Sequence, residues 1–229
     1  MSSTEVGGRR RLVILGKQGA GKGTQAERLA HHYRVPRIST GDIFRAAVKE
    51  GTEAGTQAKA YMDSGDLVPD KVVVAVVGER LGEPDAVDAD GFVLDGFPRN
   101  LAQAEALDGM LEPDGVDLVV ELQVPTAMVL HRLAGRRVCV DCGTNYSLGR
   151  SGDDDDGVCD RCGGKVILRE DDTETAISRR LALYEKETEP LVAWYMAKDK
   201  LAPVDGVGAP DEVTARVMRA IDGRLGSRA

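Results

Sequence analysis

Short apolar runs alternate with longer amphipathic segments along most of the chain. The runs at residues 12–15, 91–95, 116–124 and 201–205 are bounded by turn-forming residues. Such runs are typical of strands that are covered on both faces of a sheet. Because helical segments separate them, the pattern predicts an α/β fold with a doubly wound parallel sheet and helices on both faces. Ligands of such sheets bind at the carboxyl ends of the strands.

Helices are expected at residues 25–30, 40–63, 126–137, 172–197 and 211–225. Either Ser39 or Thr40 can cap the second of these helices. The third helix would carry Arg132 and Arg136 on one face, since the two residues are four apart. The second helix would carry Arg45, which on its own would more often be a surface charge, and the helix from residue 172 would carry Arg179 and Arg180.

The valine-rich run at residues 72–77 is compatible with two structures. Its β-branched side chains favour a strand. Pro69 at its start, Asp70 in the first turn and Gly82 at its end favour a helix. We expect a helix, because the flanking signals agree with one another.

The first strand leads into a glycine-rich loop, residues 16–24, which reads Gly-Lys-Gln-Gly-Ala-Gly-Lys-Gly-Thr. A strand, G-x-x-x-x-G-K and a helix in this order predict a phosphate-binding loop. Its glycines let the backbone approach the phosphates, and the helix N-terminus favours anions. Lys22 would neutralise the outer phosphates, and Gly23 stands where Ser or Thr is usual, with Thr24 following. A glycine-rich turn without a ligand is the alternative.

Composition narrows the class of protein. The net charge of −8 over 229 residues argues against sequence-independent nucleic-acid binding, which needs a basic face. No apolar run approaches the roughly 20 residues of a membrane helix, and no signal-peptide core follows Met1. We therefore expect a cytoplasmic protein with no membrane partner, a loose tail at residues 1–10, and cysteines that are not a disulfide framework.

Asp95 ends the strand at residues 91–95, and Gly-Phe-Pro leads from it to Arg99. A carboxylate at the end of a parallel strand, beside a phosphate loop, can orient Mg²⁺. A simple strand-ending turn is the alternative. Gln103 is expected on the same helical face as Arg99, because it follows four residues later.

Four cysteines form two C-x2-C pairs, and sixteen residues separate the pairs. This spacing is typical of a zinc ribbon, with Cys139, Cys142, Cys159 and Cys162 as the ligands. Four thiolates leave no open zinc position, so the site would be structural rather than catalytic. An iron–sulfur centre is the minor alternative. The aspartates at residues 153–156 are expected to form a solvated hairpin tip.

The combined motifs resemble those of adenylate kinase. They are Gly-x-x-Gly-x-Gly-Lys-Gly-Thr at 16–24, Ser-Thr-Gly-Asp at 39–42 with Arg45, Asp-Gly-Phe-Pro-Arg at 95–99 with Gln103, Gly-Arg-Arg at 135–137 and Arg-x-Asp-Asp at 169–172. The resemblance implies Mg²⁺-dependent transfer of a phosphoryl group from ATP to AMP, giving two ADP, by an enzyme that is a monomer. It also implies a core at 11–38, 69–134 and 173–229, an AMP-binding segment at 39–68 and a zinc lid at 135–172.

The resemblance also implies roles for individual residues. The ATP-binding set would be Gly19, Ala20, Gly21, Lys22, Gly23, Thr24, Arg132, Arg136, Asn145, Tyr146 and Gly208. The AMP-binding set would be Thr40, Arg45, Asp66, Leu67, Val68, Gly96, Arg99, Gln103, Arg169 and Arg180. The catalytic set would be Lys22, Arg99, Arg132, Arg136, Arg169, Arg180 and Asp95.

The sequence departs from the family at a few positions. Prolines are usual where Lys17 and Gln18 stand, and Thr is commoner than Asn100. Two rival functions are a kinase for UMP or CMP and a zinc-ribbon nucleic-acid-binding ATPase. Thr40, Gln103 and the long lid favour AMP as the acceptor, and the acidic residues around the cysteines disfavour a nucleic acid.

Overall fold

The computed structural model describes residues 9–147, 157–169 and 172–226. Its strands are β1 (Arg10–Leu15), β2 (Arg37–Ser39), β3 (Gly91–Asp95), β4 (Leu118–Gln123), β5 (Arg136–Cys139), β6 (Asn145–Ser147), β7 (Val166–Leu168) and β8 (Leu201–Asp205). Its helices are α1 (Lys22–Tyr33), α2 (Thr40–Glu50), α3 (Glu53–Ser64), α4 (Asp70–Leu81), α5 (Pro84–Val87), α6 (Leu101–Met110), α7 (Thr126–Ala134), α8 (Glu174–Leu183), α9 (Glu189–Ala197) and α10 (Pro210–Leu225). A π-helical turn, Tyr184–Thr188, joins α8 to α9.

The strand that leads into the glycine-rich loop lies at the centre of a parallel five-stranded sheet. The strand order is β2-β3-β1-β4-β8, and β1 pairs in parallel with both β3 and β4. Alternate β1 residues point to opposite faces, as the period of two in a strand requires. Leu12 and Ile14 join the core cluster on one face, and Val13 and Leu15 join the cluster on the other. The predicted doubly wound parallel sheet is confirmed.

A second sheet is antiparallel, with the order β6-β5-β7. It is formed by the segment between α7 and α8 that contains the four cysteines. The aspartates at residues 153–156 fall outside the described residues, so the predicted hairpin tip stays a prediction. None of the described helices is both long and apolar enough to cross a membrane.

The valine-rich run is helical, as expected, and forms most of α4. Only Val73 and Val77 are fully buried along it. These two positions are four apart, so they face the core together. The flanking helix signals therefore outweighed the β propensity of the valines.

Several expected boundaries were wrong. The long helix from residue 40 breaks at Gly51, whose φ is +68°, and Thr52 then caps α3 by accepting a hydrogen bond from the Gly55 backbone N–H. β2 was not predicted, because its three residues are too few to show an alternation of apolar and polar positions. Arg10 lies in β1 opposite Gly91, so the first strand begins at the residue that was expected to end the tail.

The expected helix through Arg132 and Arg136 ends earlier than predicted. α7 stops at Ala134, Gly135 caps it, and Arg136 begins β5. The two arginines therefore do not share a helical face. The helix expected from residue 172 begins at Glu174, with the Thr173 side chain as its cap.

Candidate active site

A cleft of about 1050 Å³ opens where β1 and β3 end. That is at the upper end of the usual size of small-molecule sites. Its lining includes all the residues that were expected to bind nucleotides or to act in catalysis. These are Gly19, Ala20, Gly21, Lys22, Gly23, Thr24, Thr40, Arg45, Asp66, Leu67, Val68, Asp95, Gly96, Arg99, Gln103, Arg132, Arg136, Asn145, Tyr146, Arg169, Arg180 and Gly208. Residues from distant parts of the chain thus share one site.

The glycine-rich loop has the geometry of an anion site. Gly19 has a φ of +80°, and a Cβ there would lie 2.9 Å from Cγ of Leu133, so only glycine fits. Lys22 is the first residue of α1, and its Nζ donates to the carbonyls of Gly16 at 2.7 Å and Lys17 at 2.9 Å. The ammonium group is therefore held against the loop, beside the free N–H groups of the helix N-terminus.

Lys22 has an unusual acid–base equilibrium. Burial lowers the pKa of its ammonium group to about 8, and the charges of Arg99 and Arg136 act in the same direction. The Asp95 carboxylate opposes these effects. An anionic ligand would favour the charged form and reverse the shift.

Thr40, Gly96 and Arg99 form a compact group on the other side of the cleft. The Thr40 hydroxyl and Nε of Arg99 both donate to the Gly96 carbonyl, at 2.9 and 2.8 Å. A Cβ on Gly96 would lie 2.9 Å from Oγ1 of Thr40, which explains the glycine. Burial lowers the pKa of Arg99 to about 10, and the nearby charge of Arg180 adds to the effect. A guanidinium group that is poorly hydrated and crowded by like charges is well suited to receive a phosphate.

Gln103 is related to Arg99 differently from the expectation. Arg99 precedes the cap residue Asn100, so the two do not lie on one helical face. Instead, Oε1 of Gln103 accepts a hydrogen bond from the Arg99 backbone N–H at 2.8 Å, and Nε2 donates to Asp70 at 2.6 Å. Asn100 also donates to Asp70. The Gln103 amide is 1% exposed and held in a fixed orientation at the wall of the cleft.

Asp95, at the end of β3, is paired with Arg37. Nη2 of Arg37 lies 2.9 Å from Oδ2 of Asp95 and 2.9 Å from Oδ2 of Asp42. Burial by itself would raise the pKa of Asp42, but Arg45 and Arg37 hold it below its usual value. Gly23 lies beside this group, since a Cβ there would be 3.4 Å from both Arg37 and Asp95. The carboxylates and the phosphate loop therefore meet at one point.

Arg136 and Arg180 meet at Asp172. Nε and Nη2 of Arg136 bind the two carboxylate oxygens at 2.5 and 2.6 Å, and Nη1 of Arg180 lies 3.5 Å from Oδ1. Arg180 also donates to the Met62 carbonyl at 2.7 Å. Arg132 donates to the carbonyls of Ala20 and Gly206, each at 3.1 Å, so it bridges the phosphate loop and the loop before α10.

The remaining candidates line the edges of the cleft. The Tyr146 hydroxyl donates to Asp160 and lies 3.1 Å from Sγ of Cys159. The side chain of Asp66 accepts hydrogen bonds from Arg179 and from Ser64. Asn145 is exposed, Leu67 is half-buried and Val68 is buried. Lys17, although part of the loop, does not line the cleft and donates to Thr126 at 2.7 Å.

The four cysteines form two matching turns. The N–H of Gly143 donates to the Cys139 carbonyl and that of Gly163 to the Cys159 carbonyl, with φ values of +73° and +74° at the two glycines. The four Sγ atoms lie within 4.8 Å of one another. A tetrahedral site with Zn–S bonds of about 2.3 Å has sulfur atoms roughly 3.8 Å apart, so the group fits zinc.

Sequence reasoning assigned no role to four side chains that lie among the candidates, Gln18, Arg37, Asp42 and Asp172. Gln18 donates to Oδ1 of Asp172 at 2.8 Å. Gln18 belongs to the glycine-rich loop, whose glycines carry its motif, and Arg37 lies two residues before the Ser-Thr-Gly-Asp motif. The signal available for Gln18 was its departure from the usual proline, but no signal pointed to its distant partner.

A family model for adenylate kinase matches residues 14–200. The chain belongs to the adenylate kinase family. It is 52% identical over 205 residues to the adenylate kinase of Thermodesulfovibrio yellowstonii, covering 89% of this chain and 94% of the relative. It is 49% identical over 208 residues to that of Syntrophobacter fumaroxidans, covering 90% and 97%. It is 49% identical over 213 residues to that of Acidothermus cellulolyticus, covering 92% and 97%.

Family membership confirms the expected enzyme class and reaction. The adenylate kinase reaction is phosphoryl transfer from ATP to AMP, giving two ADP, and the substrates are these nucleotides. Adenylate kinases use Mg²⁺ with ATP, and the cysteine cluster is compatible with zinc. The comparisons therefore favour this reaction over the rival function of a zinc-ribbon nucleic-acid-binding ATPase.

Proposed function

We propose that the cleft binds ATP on the phosphate loop and AMP between Thr40 and Gln103, with the phosphates meeting between them. The observation that carries this proposal is the convergence of Lys22, Arg99 and the Asp172-paired arginines on one cleft. ATP would contact Gly19–Thr24, Arg132, Arg136, Asn145, Tyr146 and Gly208. AMP would contact Thr40, Arg45, Asp66, Leu67, Val68, Gly96, Arg99, Gln103, Arg169 and Arg180.

Phosphoryl transfer depends on positioning and on neutralising charge. Guanidinium groups suit this task because they grip phosphate oxygens with two parallel hydrogen bonds and stay charged. The acceptor is itself a phosphate with a second pKa of about 6, so it is anionic at neutral pH without a general base. Lys22, Arg99, Arg132, Arg136, Arg169 and Arg180 would provide the neutralising charges.

Asp95 is proposed to orient Mg²⁺ together with the Thr24 hydroxyl and Asp42. Carboxylate and hydroxyl oxygens suit this hard cation, and all three residues line the cleft beside the phosphate loop. When bound with ATP, Mg²⁺ neutralises charge on the phosphates. Arg37 shares the Asp95 and Asp42 carboxylates, so it would have to adjust when the ion arrives.

The three expected parts of the chain would have separate tasks. Residues 11–38, 69–134 and 173–229 would form the core, 39–68 the AMP-binding segment and 135–172 the lid. Cys139, Cys142, Cys159 and Cys162 would hold one structural zinc, which stabilises a segment with little apolar core of its own. A closed lid would exclude water, the competing acceptor.

The choice of AMP as acceptor is proposed to depend on Thr40 and Gln103. Gln103 presents a buried amide whose orientation Asp70 and the Arg99 backbone set. The amide has a second N–H and a second oxygen lone pair, which can bind the edge of a matching base, whereas an ill-matched base would leave them without a partner. A cytoplasmic, monomeric enzyme that binds neither nucleic acid nor membrane stays a prediction from the sequence.

The test is a coupled assay of ATP with AMP, UMP, CMP and GMP in turn. We expect kcat/KM for AMP to exceed that for each other acceptor by more than tenfold. Gln103→Met keeps the size of the side chain but removes the amide, so it should raise KM for AMP far more than KM for ATP. Equal use of CMP, or an unchanged KM for AMP in this variant, would refute the proposed base selection.

A further inference from the structure

Gln18 links the phosphate loop to the Arg136–Asp172–Arg180 group. Its Nε2 donates to Oδ1 of Asp172 at 2.8 Å. The same oxygen accepts a hydrogen bond from Nη2 of Arg136 at 2.6 Å and lies 3.5 Å from Nη1 of Arg180. One carboxylate oxygen is thus shared by two guanidinium groups and one neutral amide.

Asp172 is almost completely buried, with a side chain that is 2% exposed. Arg136 and Arg180 are also largely covered, at 17% and 14%. A buried carboxylate depends on its donors, because removing a partner leaves the desolvation cost uncompensated. Whatever draws the arginines away from Asp172 must therefore leave that carboxylate another donor.

Phosphate oxygens compete with Asp172 for the same guanidinium groups. Arg136 now uses Nε and Nη2, a complete two-pronged donor face, on the carboxylate. A phosphate binds through the same kind of face. In the proposed reaction Arg136 and Arg180 must turn at least part of their donors toward the nucleotides, which weakens their bonds to Asp172.

Gln18 is suited to hold Asp172 during that exchange. Its amide is neutral, so the nucleotide phosphates attract it less strongly than they attract the arginines. Among the described residues, none donates to the buried Oε1 of Gln18, so the bond through Nε2 sets the amide orientation. Proline, the usual residue at this position, has no side-chain donor.

We propose that Gln18 is a positioning residue that keeps Asp172 hydrogen-bonded while Arg136 and Arg180 pass to the phosphates. This inference rests on the proposed role of those arginines in phosphoryl transfer. Glutamine instead of proline at residue 18 would therefore affect the rate of the reaction rather than nucleotide binding. Gln18 acts through Asp172 and is not itself a catalytic residue.

The adjacent residue offers a matched control. Lys17 lies in the same loop, and its Nζ donates to Oγ1 of Thr126 at 2.7 Å. That bond is as short as the Gln18 bond, but it leads to the start of α7 and away from the cleft. Lys17→Met and Gln18→Met each remove one side-chain hydrogen bond from the loop and keep a side chain of similar length.

The experiment compares these two variants in wild-type and Asp172→Asn backgrounds. Gln18→Met should lower kcat about five- to fiftyfold, with KM for ATP and AMP changed less than about threefold. Lys17→Met should leave kcat within about twofold. In the Asp172→Asn background, Gln18→Met should lower kcat by less than about twofold, because the effects of substitutions at coupled residues are not additive. If Gln18→Met does not fold, Gln18→Asn replaces it, since the shorter amide cannot reach Asp172.

The outcomes separate the inference from the function on which it rests. An unchanged kcat in Gln18→Met, or an equal loss in both backgrounds, overturns the positioning role. An equal loss of kcat and of melting temperature in Gln18→Met and Lys17→Met also overturns it, since loop stability alone would explain both. Arg136→Met tests the proposed role of the arginines. Full activity in this variant refutes both that role and the inference about Gln18. Lost activity in Arg136→Met together with a normal kcat in Gln18→Met refutes the inference alone.

Discussion

Nη2 of Arg37 lies 2.9 Å from Oδ2 of Asp95, so the carboxylate at the end of β3 already has a cationic partner. The side chains are 26% and 10% exposed, which limits screening by water. Asp95 and Asp42 together raise the pKa of Arg37 in spite of its burial. A divalent ion that uses Asp95 must therefore compete with, or sit beside, a permanent positive charge.

The first prediction concerns that competition. Arg37→Gln removes the positive charge and leaves both carboxylates available to the ion. The Mg²⁺ concentration that gives half-maximal activity should therefore fall by about three- to tenfold at constant ATP. The measurement is a Mg²⁺ titration of activity, together with a direct Mn²⁺ binding titration of the ligand-free protein. Arg80→Gln is the control. It removes the same charge, but Arg80 pairs with Asp85 and Glu83 outside the cleft. A weaker or unchanged affinity for the ion in Arg37→Gln would show that Arg37 supports the metal site instead.

The second prediction concerns the two central cations. Lys22→Ala and Arg99→Ala should each lower kcat by on the order of 10²–10³-fold while the fold survives, because each group is proposed to neutralise charge on the transferred phosphoryl. Turnover by coupled assay and circular dichroism of each variant provide the check. Lys17→Ala should stay within tenfold, because Lys17 lies in the same loop but outside the lining of the cleft. Near-normal turnover in a folded Lys22→Ala protein would contradict the assigned role.

The third prediction follows from the low pKa of Lys22. Burial lowers this pKa to about 8, so the free enzyme at pH 9 holds most of its Lys22 neutral. ATP phosphates favour the ammonium form and raise the pKa, so binding at pH 9 should take up more than about half a proton. Calorimetry in buffers of different ionisation enthalpy measures this uptake. Lys22→Arg, which is charged throughout this range, should show almost no uptake at the same pH.

The fourth prediction concerns the cysteine cluster. Metal analysis should find about one zinc per chain, held by the four sulfur atoms that lie within 4.8 Å of one another. Chelation, or Cys159→Ser with Cys162→Ser, should lower turnover and the melting temperature and leave most of the circular dichroism intact. The reason is that Arg136 begins β5 of the cysteine-bearing sheet and Arg169 follows β7. Displacements of about 1 Å at such residues can cost about 10²-fold in rate. A metal-free protein with full activity would refute the structural role.

Much of the candidate site was readable in the sequence because its signals are local. The phosphate loop contains several glycines, and its backbone adopts conformations that other residues do not tolerate. Gly19, with its positive φ and no room for a Cβ, is a direct example. The cysteine turns repeat one local geometry twice. The strands of the central sheet are short apolar runs, and their period is set by the pleat alone. Patterns of this kind depend on neighbours within a few residues, so they predict elements and motifs well.

Only the tertiary structure decided which charged and polar groups meet. Gln18 and Asp172 are 154 residues apart, and Arg37 and Asp95 are 58 apart. Nothing in the local sequence distinguishes Arg37 from a surface arginine. The local sequence also does not show whether Arg136 lies in a strand or in a helix. Those outcomes depend on which strand ends come together at one edge of the sheet and on which buried carboxylates need a donor there. The sequence by itself therefore determined the chemistry available to the site, and packing determined which side chains share it.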